Sequence, residues 1–107
     1  MSGYRYMRTL LFFDLPTLTA SERKAAAMFR KALLKDGFLM LQESVYCKLS
    51  LNGTAADNVR ERVKKYLPKE GNVIMLTITE KQFENMDLCL GKLSGIIMDN
   101  DDKMVIL

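Results

Sequence analysis

One run of residues constrains this chain more than any other: Leu10-Leu11-Phe12-Phe13, closed at once by Asp14-Leu15-Pro16. Four consecutive large apolar side chains with a hard stop read as a strand buried on both faces. Such a strand lies in the middle of a sheet. Proline then ends it, because it has no N–H to give to a ladder. The element is expected over Tyr4 to Phe13.

The rest of the chain is read outward from that strand. Thr19-Ala20-Ser21-Glu22 has the form of a capping box, and a helix follows to about Lys35, with Ala25, Met28, Phe29, Ala32 and Leu33 on one face. Asp36-Gly37 supplies its stop, glycine being suited to a left-handed cap. Phe38 to Leu51 reads as two strands, interrupted by a turn or bulge at Gln42-Glu43-Ser44. Asn52-Gly53 marks a turn and Thr54 is the expected cap of a second helix running to about Leu67, buried at Val59, Val63, Tyr66 and Leu67. Pro68 and Gly71 end it. Val73 to Ile78 is a further buried strand, and Thr79-Glu80-Lys81-Gln82 can start a single helical turn. Beyond it the pattern weakens to short apolar runs at Leu88 to Leu90, Ile96 to Met98 and Met104 to Leu107, with an acidic loop over 99–102.

The order strand, helix, strand, strand, helix, strand, plus a last C-terminal strand, is that of an α+β ferredoxin-like sandwich. Right-handed crossovers place both helices on one face of an antiparallel sheet and make the first and third strands the central pair. Residues 1–90 form this domain, and 91–107 extend it without a second core. The other sheet face then needs a cover, which the sheet of a second copy would supply in a homodimer; the last strand could pair with that copy's sheet edge.

Composition excludes several classes of function. The chain of 107 residues holds no histidine. That removes the commonest general base, the commonest metal ligand and every serine–histidine or cysteine–histidine nucleophile. Chemistry is left to carboxylates, hydroxyls, lysine or a hard metal ion. Cys47 and Cys89 have no metal-ligand spacing and are expected as small buried residues in a reducing, cytoplasmic setting. No apolar run reaches the roughly 18 residues of a membrane helix. Charge is uneven: residues 1–69 carry 13 Lys/Arg against 6 Asp/Glu, and residues 70–107 carry 3 against 7. A basic first part points to a polyanionic partner, or else to solvated helix faces.

Asp14 is the first candidate for chemistry. A bare carboxylate at the end of a central strand is a hard oxygen ligand suited to Mg²⁺, and two copies facing each other across a dimer axis could share one ion. The alternative is a carboxylate that caps the following turn. Ser44, at the junction of the second and third strands, is expected beside Asp14, where it could bond a phosphate; otherwise it is a turn serine. Tyr46 could stack on a base, or be a strand tyrosine, and Glu43 is a further possible ligand or a solvated turn residue. Arg23, Lys24, Arg30 and Lys31 on the first helix, and Arg60, Arg62, Lys64 and Lys65 on the second, are candidate phosphate contacts, which position a nucleic acid without reading its sequence.

The segments Tyr4-Arg5-Tyr6-Met7-Arg8, Leu11-Phe12-Phe13-Asp14-Leu15-Pro16, Phe29-Arg30-Lys31, Gly37 to Gln42, Ser44 to Leu49 and Leu76 to Phe83 together resemble the small CRISPR-associated Cas2 family, and most of all the variant that accompanies single-effector (type II) systems. The resemblance covers most of residues 4–90. It implies a ferredoxin-like homodimer described as a metal-dependent endonuclease on RNA or DNA. The aspartate ending the first strand, here Asp14, is then the Mg²⁺ ligand, with Ser44 its neighbour and Arg23 near a family arginine. It also implies a complex in which the dimer bridges two dimers of the CRISPR integrase beneath new spacer DNA. The family often has tyrosine before the aspartate; Phe13 stands here and lacks that hydroxyl. Two readings follow, a metal-dependent nuclease and an architectural DNA platform, with a generic ligand-binding ferredoxin-like dimer as a third.

Overall fold

The structure is a computed structural model that describes residues 5–92, 96–98 and 104–106. Its elements are β1 (Met7–Asp14), α1 (Ala20–Lys35), β2 (Leu39–Gln42), β3 (Val45–Ser50), α2 (Gly53–Lys64), β4 (Asn72–Thr79), α3 (Glu80–Glu84), β5 (Ile96–Met98) and β6 (Met104–Ile106). The first four strands form one sheet in the order β2-β3-β1-β4, all neighbours antiparallel. β1 and β3 are therefore the central pair, as the sequence order requires of a ferredoxin-like sandwich. β5 and β6 form a separate antiparallel hairpin, with Ile97 opposite Val105. The last strand thus pairs within its own chain. The acidic loop over 99–102 and Tyr4 lie outside the described residues.

Local signals set the helix limits. The Thr19 hydroxyl accepts the Glu22 N–H at 3.0 Å and the Glu22 carboxylate accepts the Thr19 N–H at 2.9 Å, so both halves of the capping box form. The same reciprocal pair recurs at Thr79 and Gln82 and starts α3. At α2 the cap is Asn52 rather than Thr54: its side chain accepts the Ala55 N–H at 2.8 Å, and the helix begins two residues early. α2 also ends at Lys64, short of Leu67, which is exposed. Gly37 stops α1 with φ +97°, a conformation that costs a side-chain-bearing residue energy but not glycine. The interruption at residues 42–44 is both a turn and a bulge, since the β2–β3 register shifts between Met40 and Gln42.

Alternation along β1 divides the molecule into two sides. Leu11 and Phe13 face the helices and pack with Phe29, Leu33, Val59, Val63 and Tyr46. Each such side chain contributes about 1.5–3 kcal/mol by leaving water. Phe13 and Phe29 meet edge to face, 5.5 Å between centroids. The opposite side is covered only in part. There α3 lays Phe83 over Cys47 and Leu41, next to Leu10, Leu39 and Ile78. Arg8, 1% exposed, is sealed beneath this turn; its guanidinium donates to the Glu80 carboxylate, Nε to Oε1 at 2.8 Å, and lies 4.5 Å from the Phe83 ring centroid.

This half-cover corrects two expectations. β1 and β4 are not buried on both faces: Phe12, Ile74 and Leu76 are 36%, 64% and 49% exposed. They share one face, because Phe12 pairs with Ile74 and Leu10 with Leu76. The helix layer covers one side of the sheet, and α3 is too short to cover the β1–β4 half of the other. Cys47 is buried as expected, but Cys89 is exposed, on a segment outside any helix or strand.

Candidate functional site at the end of strand β1

Asp14 closes β1, opposite Asn72 of β4. It is exposed, and alternation puts it on the same uncovered face as Phe12. No hydrogen bond or ion pair to its carboxylate exists among the described residues, so both oxygens face outward unshared. The turn-capping alternative finds no such bond.

Main-chain contacts hold this strand end from both sides. The Phe13 N–H donates to the Ser44 carbonyl at 3.0 Å, so the serine's main chain lies opposite Phe13, one residue before Asp14, and its side chain is exposed. On the other side Gly71, with φ +105°, packs its α-carbon against the Asp14 carbonyl; a β-carbon there would lie 2.8 Å from that oxygen. Sequence reading took Gly71 only as a helix stop, and its place directly before a strand was the available signal. Glu43 is exposed in the same turn.

Tyr46 is not available to stack on a base. It is 2% exposed, its ring 5.6 Å from Phe13 in the helix-facing core. Burial pushes its phenol above the ordinary value, against the pull of the Arg30 charge. The side chain faces the helices because it pairs with Leu11, and that register decides its role.

The eight basic candidates divide. Arg23 donates to the main-chain carbonyls of Thr17 and Leu18, at 3.1 and 2.9 Å, and so ties the loop that follows Asp14. Arg30 is half-buried, its guanidinium 5.5 Å from the Phe13 ring centroid. Arg60 donates to the Thr77 hydroxyl at 2.7 Å and pairs with Asp57. Arg62 pairs with Asp36 at 2.9 Å, a carboxylate that also takes the Tyr66 hydroxyl. Lys64 pairs with Glu61 at 3.0 Å, and its hydrogen bond and charge hold that carboxylate below its ordinary range. Lys24, Lys31 and Lys65 are exposed, with no ion pair among the described residues. Asp36, which sequence reading took only as a helix stop, thus joins α1, α2 and β3, since Lys48 also reaches it.

Among the described residues no three His, Cys, Asp or Glu side chains gather to hold a metal ion. Among the described residues, Asp14 and the exposed Glu43 are unshared carboxylates at this end of the sheet. A groove of about 520 Å³ lies between α1 and residues 66–70, lined largely by Ala25, Met28, Phe29, Tyr66 and Pro68. It faces the helix layer, not the Asp14 carboxylate. No helix among the described residues is long and apolar enough to cross a membrane.

Comparison with known proteins agrees with this architecture. The family model for the CRISPR associated protein Cas2 matches residues 7–86. A protein of Streptococcus mutans serotype c (strain UA159), named CRISPR-associated endoribonuclease Cas2, is 48% identical over 94% of this chain and 93% of its own. Relatives of the same name from Treponema denticola and Ligilactobacillus salivarius are 43% and 39% identical, each over 94% of this chain and all of theirs. The β2-β3-β1-β4 sheet, the aspartate closing β1 and this likeness over nearly the whole chain have one conclusion: the chain belongs to the CRISPR-associated Cas2 family.

Proposed function

We propose that this chain works in the cytoplasm as a homodimer that hydrolyses phosphodiester bonds of RNA or DNA at a Mg²⁺ site shared by two Asp14 carboxylates. One observation carries the reading. Asp14 is an unshared, exposed carboxylate at the edge of an uncovered apolar sheet face. Pairing that face with its copy would bury Phe12, Ile74 and Leu76 and would bring both aspartates to one interface. The names of the relatives as endoribonucleases support the same chemistry.

The residues fit a hard cation as two half-sites. Carboxylate oxygens suit Mg²⁺, which is held by one or two carboxylates and keeps waters for the rest. When bound, the ion supplies charge to a phosphoryl oxygen and lowers the pKa of its water, a need sharpened by the lack of any histidine. Asp14 holds that position through the main-chain clamp of Ser44 and Gly71. The Ser44 hydroxyl supplies a hydrogen-bond donor for a phosphate at the same strand end.

The test is cleavage of labelled single-stranded RNA and double-stranded DNA with Mg²⁺ by the protein beside Asp14→Ala. Loss of cutting in the variant alone, and loss in the parent on chelation, are expected. Equal cutting by both, or cutting that persists in excess EDTA, overturns the reading.

A second reading is architectural: the dimer bridges CRISPR integrase dimers and holds spacer DNA during spacer acquisition, with no cutting of its own. It is favoured by Lys24, Lys31 and Lys65, exposed on the helices with no ion pair among the described residues. Failure of the parent to cut either substrate, together with salt-sensitive DNA binding, decides for this role.

A further inference from the structure

The two long helices are internal counterparts with unequal charge. Their core positions match at an offset of thirty residues: Ala26, Phe29 and Leu33 on α1 correspond to Ala56, Val59 and Val63 on α2. The positions opposite the core then correspond as well. On α1 they are Lys24, Lys31 and Lys35; on α2 they are Thr54, Glu61 and Lys65. At 3.6 residues per turn the three α1 lysines fall within about 40° of one another, turned away from Phe29. All three are exposed. They span about 16.5 Å along the axis, the rise of about five phosphates on one strand of a duplex.

Among the described residues the stripe is also unopposed. The acid inside α1, Glu22, is used in the capping box, and the Asp36 carboxylate at its end is taken by Arg62, Lys48 and Tyr66. On α2, by contrast, Asp57 and Glu61 pair with Arg60 and Lys64, and Arg62 is spent on Asp36. Among the described residues the charge of α2 is mostly neutralised within the fold, and the outward charge of α1 is not.

We infer that Lys24, Lys31 and Lys35 form a backbone track for duplex DNA, and that α2 does not. This rests on the nucleic-acid reading above and narrows it to one helix. The track lies over the helix layer, on the far side of the sheet from the Asp14 face, so a duplex on it is held without entering the metal site. Contact is to phosphates through flexible ammonium groups, and binding is therefore independent of sequence.

The test is fluorescence anisotropy with a labelled double-stranded DNA of arbitrary sequence, from low to moderate salt. The parent is compared with Lys24→Gln/Lys31→Gln/Lys35→Gln, and with Lys69→Gln/Lys81→Gln/Lys92→Gln, which removes the same charge from exposed sites elsewhere. Glutamine favours helix about as well as lysine, and circular dichroism verifies the fold. The α1 variant is expected to lose roughly tenfold in affinity and to flatten the log–log salt slope by about 2.7, at about 0.9 per phosphate contact. The control is expected to keep the slope. An unchanged slope in the α1 variant, or an equal loss in the control, overturns the track alone. A parent that shows no salt-dependent binding overturns both the track and the nucleic-acid reading beneath it.

Discussion

Gly71 and Asp14 touch through their backbones: a β-carbon at Gly71 would stand 2.8 Å from the Asp14 carbonyl oxygen and 2.7 Å from Leu15 Cδ2. The aspartate's place is therefore set in part by the residue just before β4, 57 positions later in the chain (71 − 14). Gly71→Ala meets two penalties, the clash and the φ of +105°. A loss of about 1–3 kcal/mol is expected in urea unfolding, with Mg²⁺-dependent cleavage falling further than stability explains. Stability and cleavage both at parent levels would show that the strand end accommodates a side chain.

Arg8 and Glu80 form the second long-range tie. The guanidinium is sealed under α3 and the Glu80 side chain is 24% exposed. Glu80→Ala leaves a buried cation unpaired and is expected to cost about 2–4 kcal/mol, whereas Arg8→Met with Glu80→Gln should recover much of the loss, because apolar burial replaces a desolvated pair. Denaturant midpoints of the single and double variants measure the difference.

Tyr66, just past the end of α2, ties that segment to the end of α1 through its hydroxyl, which donates to Asp36 at 3.1 Å. Burial, then the nearby Asp36 charge and this bond, raise its phenol above the ordinary 10.0. The folded chain then keeps a proton that the unfolded chain releases, so stability falls as pH rises above about 10. Tyr66→Phe is expected to cost about 1 kcal/mol at neutral pH and to flatten that alkaline decline. Unfolding at pH 8 and pH 11 for both proteins tests the sign.

The uncovered apolar face predicts an oligomer. Ile74→Lys with Leu76→Lys places charge on side chains that are exposed in the single chain, so the fold should survive. The double variant is expected to sediment as a monomer and the parent as a dimer. A parent that sediments as a monomer would remove the shared-site reading of Asp14.

Much of the fold was legible because its signals are local. The Thr19–Glu22 and Thr79–Gln82 boxes, the Gly37 stop and the apolar run before Asp14 each act within a few residues. Short-range hydrogen bonds and steric limits on φ need no distant partner. The position of Asp14 at a strand end was legible for the same reason. The expected cap at Thr54 lost a local contest to Asn52, one residue before the glycine that starts α2.

What the chain alone determined, then, is the order of the sheet strands and long helices, the ends marked by a local capping box or glycine stop, and the candidate carboxylate. Only the tertiary structure decided which surfaces remain open and which charges remain unspent. Whether Phe12 and Ile74 are covered depends on how far α3 reaches across the sheet. Whether the Arg62 charge is already paired depends on Asp36, 26 residues before it. Tyr46 passed from candidate to core by its register with Leu11. Burial and ion pairing are properties of neighbours in space, and neighbours far apart in sequence leave no periodicity to read.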